Sequence, residues 1–256
     1  MPTILDEILA ATASRLELSP VVVERAEALS GRPPPSFRDA LAAPGLSVIA
    51  EIKRRSPSAG ALAPDIDPVA RASAYAAGGA AAVSVLTEPD FFGGSIEDML
   101  VVAESVSIPV LRKDFILAPE QIWEARAWGA AAVLLIVSAL DDARLSLLID
   151  EARDAGLDAL VEVHTPEEAH RARDAGASIV GVNNRDLSTF ETDLAVAETI
   201  APLLDGVVTV AESGISSAAG ASRMAAAGYD AILVGEALVT APEPAALIEA
   251  LKGTAT

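Results

Sequence analysis

The sequence predicts an α/β fold: a single closed (β/α)8 TIM barrel preceded by an N-terminal helical extension. One phrase recurs along the chain, an alanine-rich helix, a glycine, a short apolar run and then polar residues. It reads AAGGAAAVSVLTE (76–88), WGAAAVLLIVS (128–138), AGLDALVEVH (155–164), AGASIVGVNN (175–184) and AGYDAILVGE (227–236). A glycine after such a helix is the usual left-handed stop, and a run apolar on both faces suits a parallel strand covered on both sides. The length, 256 residues, matches the roughly 250 that one such barrel needs. Finally, the turn after the first strand reads EIKRRSPSAG, without the G-x-G-x-x-G of the rival doubly wound sheet.

Residues 1–45 form the extension. ILDEILAATASRLEL and PVVVERAEALS carry apolar residues at helical spacing, and RPPPSFRDAL reads as a linker entering a short helix. Two readings stay open for it: a solubilising appendage, or helices packed over one end of the barrel. Residues 46–256 form the barrel. SVIAEIK (47–53), IPVLRKD (108–114) and VVTVAES (207–213) join the five runs above to make eight strands. Helical segments follow at roughly 68–78, 95–105, 118–128, 140–155, 165–175, 193–203, 216–227 and 242–252. Parallel crossovers keep one hand, so eight such units close on themselves with the helices outside.

Composition narrows the function. A formal charge of −19 and a pI near 4.3 repel phosphate backbones at long range, which argues against nucleic acid as a partner. Any anionic substrate must then meet a local cluster of cations. No cysteine is present, so disulfides and cysteine–zinc sites are excluded and a reducing cytoplasm is the expected setting. The first residues, MPTILDEILAATASR, lack the basic and apolar regions of a secretory signal, and no apolar stretch approaches a membrane span. A monomer is the expected state, although nothing in the sequence forbids association.

Barrel active sites form at the carboxyl ends of the strands. The polar residues there are Glu51 and Lys53 on strand one, Lys113 on three, Glu162 on five, Asn183 on six, and Glu212 and Ser213 on seven. Side-chain alternation puts Glu51 and Lys53 on one face. Charges of both signs at a barrel rim point to a working site, against the alternative of a satisfied ion-pair network. The chain has three lysines and fifteen arginines, yet two of the lysines stand at strand ends. Arginine holds its proton too tightly to donate it, whereas a partly buried lysine can have its proton affinity lowered. Lys252, in the tail, is expected to be solvated.

The only asparagines are Asn183 and Asn184, and Asn184 suits a left-handed turn. The last two strand ends read AESGIS and VGEALV. There Ser213, Gly214 and Gly235 would let backbone N–H groups approach a phosphate, with Glu236 contributing its N–H while its carboxylate points away. SPS at 56–58 either adds a hydroxyl or makes a turn. Phe92, Phe115, Leu134 and Leu187 could wall an aromatic ring, with core packing the alternative for Phe115 and Leu134. His164 could cap the helix after strand five, and His170 reads as exposed. Neither histidine has a metal-ligand pattern, so no metal and no cofactor is expected, and no P-loop appears.

These segments resemble the indole-3-glycerol phosphate synthase family. IAEIKRRSPSAG, AVSVLTEPDFFGGS, IPVLRKDFI, VLLIVSAL, LVEVH, IVGVNNRDLSTF, VAESGI and ILVGEALV follow that family's order over 47–239. ILDEIL and SFRDAL are similar to its N-terminal extension, which packs over the barrel mouth. The resemblance implies a cofactor-free carboxy-lyase of tryptophan biosynthesis acting on a phosphorylated small molecule. Its substrate, 1-(2-carboxyphenylamino)-1-deoxyribulose 5-phosphate, closes a ring and loses CO2 and water. By the same resemblance Lys113 is the general acid at the carbonyl, Glu162 the acid/base group for dehydration, and Lys53 a carboxylate-binding charge and second donor. Glu51, Asn183 and Glu212 would position them. Arg185 would help hold the carboxylate, and Ser56, Ser213, Gly214, Gly235 and Glu236 would bind phosphate. The first loop departs from the family in AGALAPDID, alanine-rich and acidic. A phosphoribosylanthranilate isomerase-like barrel, which usually relies on a cysteine, and a non-catalytic metabolite-binding barrel are the competing readings.

Overall fold

The computed structural model describes residues 3–186 and 189–253. Eight parallel strands close a barrel: β1 (Ser47–Ile52), β2 (Ala82–Leu86), β3 (Val110–Lys113), β4 (Ala132–Ile136), β5 (Asp158–Val163), β6 (Ile179–Asn183), β7 (Val208–Glu212) and β8 (Ala231–Val234). Neighbours follow chain order, and β8 pairs with β1 through Ser47↔Ala231 to Ala50↔Val234. The helices between them run Pro68–Ala77, Ile96–Ser105, Pro119–Ala127, Asp142–Asp154, Pro166–Asp174, Ala195–Ile200, Ala218–Ala226 and Pro244–Lys252. Their starts follow capping chemistry: Thr165 accepts from the Glu168 N–H at 3.1 Å, and Ser217 from the Gly220 N–H at 3.3 Å. Their ends use left-handed glycines such as Gly129 and Gly176, both at φ +84°.

Alternation along each strand makes two cores. Outward residues such as Val48, Ala50, Val83 and Val180 pack on helix residues Tyr75, Met99, Val102 and Leu148. Inward residues Ile49, Ala82, Leu111, Leu160, Ile179, Val210 and Leu233 fill the barrel itself. This apolar plug is the floor on which the next inward layer stands.

The extension comprises α1 (Ile4–Leu18), α2 (Arg25–Ala28) and α3 (Phe37–Leu41). Its two flanking segments go to opposite ends of the barrel, not both to the mouth. Phe37 and Leu41, one helical turn apart, are fully buried against Ile49, Ala82 and Leu111. The α3 start is tied to the beginning of β5, where Asp158 Oδ2 accepts the Arg38 N–H at 2.9 Å. The open base of a barrel exposes the apolar ends of its plug, and α3 covers them. α1 lies at the mouth, where Arg15 pairs with Asp90 at 2.9 Å and reaches the fully buried Glu88 at 3.5 Å. No helix among the described residues is long and apolar enough to cross a membrane.

Candidate active site

The layer above the plug is ionic. The same inward register that buries Ile49, Leu111, Leu160 and Val210 brings Glu51, Lys113, Glu162 and Glu212 to the carboxyl end. Lys113 Nζ lies 2.8 Å from Glu212 Oε2 and 3.1 Å from Glu162 Oε2. Glu162 Oε1 accepts from Asn183 Nδ2 at 3.2 Å. One residue beyond β1, Lys53 Nζ pairs with Glu51 Oε1 at 2.9 Å. Three buried carboxylates thus hold two ammonium groups around one opening.

Two glycines make this layer possible, each by leaving out a side chain. On β6, a Cβ at Gly181 would sit 2.1 Å from Glu212 Oε1. At Gly235 it would sit 2.4 Å from Glu51 Oε1 and 3.1 Å from Lys53 Nζ. Gly235 therefore makes room for the ion pair, a role distinct from the phosphate approach that the sequence suggests.

The proton affinities differ from the sequence expectation at one point. Burial alone would lower the Lys113 amine, but the Glu212, Glu162 and Glu51 carboxylates outweigh it and hold the amine above its ordinary value. Burial pushes Glu162 up, yet Lys113 and His164 prevail and keep it below the usual carboxylate range. Burial, with the Glu162 and Glu51 charges, raises Glu212 to about 7 in spite of Lys113. Lys113 is thus held in its charged form and Glu162 ionised, whereas Glu212 is raised to about 7.

Above the layer is an open cavity of about 480 Å³. It is lined by all the sequence-predicted residues Glu51, Lys53, Ser56, Phe92, Lys113, Phe115, Leu134, Glu162, Asn183, Arg185, Glu212, Ser213, Gly214, Gly235 and Glu236. Leu187 lies outside the described residues. Phe92 and Phe115 face each other across one wall with ring centroids 6.2 Å apart. On the opposite side Ser213 (φ +64°) and Gly214 (φ +78°) turn the chain sharply after β7, and Gly235 leads into the short helix Glu236–Thr240. The Gly235 carbonyl accepts the Leu238 and Val239 N–H groups at 3.0 and 2.9 Å, which leaves the N–H groups at the very start of the helix to face the cavity. Glu236 is exposed at this rim. Ser56 holds its own turn, accepting the Ala59 N–H at 3.2 Å while facing the cavity. Arg185 binds the Ser58 hydroxyl across the mouth, linking the loops after β6 and β1.

Sequence reasoning missed several lining residues. Leu86 and Ile136 extend the apolar wall, and Ile4, Leu5 and Ile8 of α1 close one side of the mouth. The Ile4/Ile8 spacing was the available signal. Two polar residues also behave differently. Asn184 makes no left-handed turn; it is 2% exposed, donates to the Glu212 and Ser213 carbonyls at 2.9 and 3.2 Å, and accepts the Ala197 N–H at 3.0 Å. It braces the β6 and β7 ends against the helix between them. Thr165, not His164, caps the helix after β5, and the His164 ring lies between Glu162 and Glu168. His170 is exposed, as is Lys252, whose ammonium donates to the Gly79 carbonyl at 2.8 Å. Among the described residues no group of three or more His, Cys, Asp and Glu is arranged to hold a metal ion.

Comparison with known proteins agrees with this geometry. The family profile described as indole-3-glycerol phosphate synthase matches residues 5–251. The indole-3-glycerol phosphate synthase of Kineococcus radiotolerans is 56% identical over 201 residues, covering 78% of this chain and 73% of that one. That of Mycolicibacterium smegmatis is 51% identical over 247 residues, covering 94% and 91%. Among solved structures, 3-hexulose-6-phosphate synthase from Salmonella typhimurium superposes with a TM-score of 0.68 at 16% identity, over 82% of this chain and 98% of that one. Thiamine phosphate pyrophosphorylase from Pyrococcus furiosus does so with a TM-score of 0.64 at 18% identity, over 86% and 97%. These two likenesses concern the barrel alone. With the family profile matched along nearly its whole length and relatives about half identical to it, the chain belongs to the indole-3-glycerol phosphate synthase family.

Proposed function

We propose that the ionic layer and the cavity above it carry out the reaction of the family, with Lys113 as the proton donor in ring closure and Glu162 as the base in dehydration. The substrate is 1-(2-carboxyphenylamino)-1-deoxyribulose 5-phosphate, and the products are indole-3-glycerol phosphate, CO2 and water. The observation that carries this reading is the placement of one ammonium between two buried carboxylates, one of them kept ionised, beneath a cavity with an aromatic wall and a backbone-rich rim.

The phosphate sits at the rim formed by Ser213, Gly214, Gly235 and the Glu236 N–H, with Ser56 opposite, and anchors the end that does not react. Phe92, Phe115 and Leu134 hold the carboxyphenyl ring. Lys53 and Arg185 face its carboxylate, which places the ketone over Lys113. As the ring carbon bearing the carboxylate attacks the ketone carbon, charge gathers on the ketone oxygen. An alkoxide is more basic than any amine, so Lys113 gives up its proton there even though its neighbours hold that proton tightly in the free enzyme. Loss of CO2 leaves a hydroxylated ring. Glu162 then takes a proton from the methylene next to nitrogen while the hydroxyl leaves as water with a proton from Lys53. Glu51, Glu212 and Asn183 keep the two ammonium groups and Glu162 in register.

The experiment is direct: the purified protein is mixed with the carboxyphenylamino deoxyribulose phosphate and the rise of indole fluorescence is followed. Turnover without added metal or cofactor is the expected result. No product at high enzyme concentration overturns the reading.

A further inference from the structure

His164 has no task in the mechanism above, yet it touches the group at its centre. The residue stands just beyond β5, and its Nε2 lies 3.4 Å from Glu162 Oε1. Nε2 is buried and makes no hydrogen bond among the described residues. On its far side Nδ1 lies 3.3 Å from Glu168 Oε2, and the same oxygen accepts the His164 backbone N–H at 2.7 Å. Glu168 is itself fixed in the first turn of helix Pro166–Asp174, whose cap Thr165 accepts its N–H. The ring does not line the cavity. It approaches Glu162 on the oxygen shared with Asn183, while Lys113 holds the other oxygen.

That division matters once the reaction is under way. In ring closure Lys113 transfers its proton to the ketone oxygen and becomes neutral. A buried carboxylate that loses its only cation prefers to take up a proton, and a protonated Glu162 cannot then serve as the base for dehydration. A second cation that never gives its charge to substrate removes this conflict. We propose that His164, as an imidazolium clamped by Glu168, is a positioning residue that keeps Glu162 ionised and oriented after Lys113 has given up its proton. The proposal rests on the mechanism above. The protons balance: two are delivered, by Lys113 to the ketone oxygen and by Lys53 to the leaving hydroxyl, and one returns from the methylene through Glu162 to Lys113. One proton from solvent restores Lys53, as loss of CO2 from a carboxylate requires.

The surroundings of the ring favour its charged form. Burial opposes the imidazolium, but Glu168, Glu162 and Glu212 outweigh that penalty and raise the ring above its ordinary value of 6.5. These three carboxylates face it from its own strand, the following helix and β7. The nearby Arg171 is engaged elsewhere, by Asp142 and the Val137 and Leu140 carbonyls. Lys113 stands on the other side of Glu162.

The test uses the fact that the chain has two histidines, so the exposed His170 serves as an internal reference in imidazole NMR. His164 should keep its proton above the ordinary imidazole value of 6.5, and wild-type kcat should fall as His164 is deprotonated. His164→Asn places an amide nitrogen where Nδ1 stood and removes the charge. It should lower kcat about tenfold or more with KM nearly unchanged, and the alkaline fall due to His164 should vanish. Glu168→Gln keeps the ring and should move both the His164 titration and the fall in kcat to lower pH. The inference is overturned if His164→Asn retains wild-type kcat or the alkaline fall. It is equally overturned if Glu168→Gln shifts the NMR titration without moving the rate profile. Absence of indole product from the wild type would instead sink the functional reading, and the NMR titration would still report the charge on the ring.

Discussion

Gly181→Ala is the smallest change that tests whether the ionic layer is held in register by absent side chains. The new Cβ would lie 2.1 Å from Glu212 Oε1 and 3.2 Å from Leu160 Cδ1. An ordinary contact needs about 3.4 Å, so the carboxylate must move by about 1.3 Å. Its partner oxygen is 2.8 Å from Lys113 Nζ, and the same displacement stretches that pair to about 4 Å. At an effective dielectric constant of about 20 the loss is roughly 2 kcal/mol. Strain at Leu160 brings the total to about 3 kcal/mol, or a fall in Tm of about 6–12 °C. Lys113 shifts with its partner, and a misplacement near 1 Å costs on the order of 100-fold in kcat. Thermal unfolding and the indole fluorescence assay read both effects. Adding Glu212→Ala to Gly181→Ala should recover part of the lost stability, because the clash is gone, but not the turnover. Gly220→Ala is the control: its Cβ meets nothing closer than 3.7 Å on a helix and should raise stability by about 0.5–1 kcal/mol. Wild-type kcat and Tm in Gly181→Ala would refute the reasoning.

Three further outcomes follow from the same geometry. Lys113→Arg keeps the charge between Glu162 and Glu212 but holds its proton too firmly; turnover should fall about 100-fold or more while a phosphate-bearing product analogue binds nearly as before. Gly235→Ala forces its Cβ onto Glu51 Oε1, 2.4 Å away, and so should detach Lys53, raising KM and lowering kcat in the same fluorescence assay. The site also gives stability a pH dependence of known sign. Glu162, lowered from 4.5, stabilises the fold above about pH 4.5, and that contribution is lost as pH falls through its folded value. Glu212, raised from 4.5 to about 7, withdraws stability as pH rises through that window, and His164, raised from 6.5, does so at higher pH. Glu212→Gln should therefore flatten the decline between pH 4.5 and 7 in chemical unfolding; an unchanged slope refutes the assignment.

The barrel was legible because its signals are local. A glycine stop and an apolar run recur within each unit, so strands such as Ala132–Ile136 and helices such as Pro166–Asp174 fall within a few residues of where the pattern puts them. The main charged residues were legible for a related reason. Alternation along one strand aligns Glu51 and Lys53 without reference to anything else. What stayed hidden depends on contacts between strands. Gly181 is β-paired beside Glu162, and Asn183 beside Glu212, but only the closed barrel shows that the missing Cβ of one is the room for the carboxylate of the other. Asn184 looked like a turn residue because its brace to Ala197 and the Glu212 carbonyl crosses to other elements. For α3 the apolar pair Phe37/Leu41 was visible, whereas the end of the barrel it covers depends on the depth of the plug.

The lysines also read differently once their neighbours are placed. Their scarcity beside fifteen arginines makes them candidates for proton transfer, with burial expected from the sequence to lower their proton affinity. In the structure burial is opposed by carboxylates, and the carboxylates prevail at Lys113. Charge is therefore stored in the layer before substrate arrives, in a chain whose formal net charge is −19. An anionic substrate entering that field is drawn not by the protein as a whole but by Lys53, Lys113 and Arg185 at the cavity. The same carboxylates that hold Lys113 protonated would spoil the proposed base step if the charge around Glu162 collapsed when Lys113 reacted. In the mechanism proposed above, a second cation behind Glu162, outside the cavity and anchored by its own carboxylate, would let one site serve first as acid and then as base.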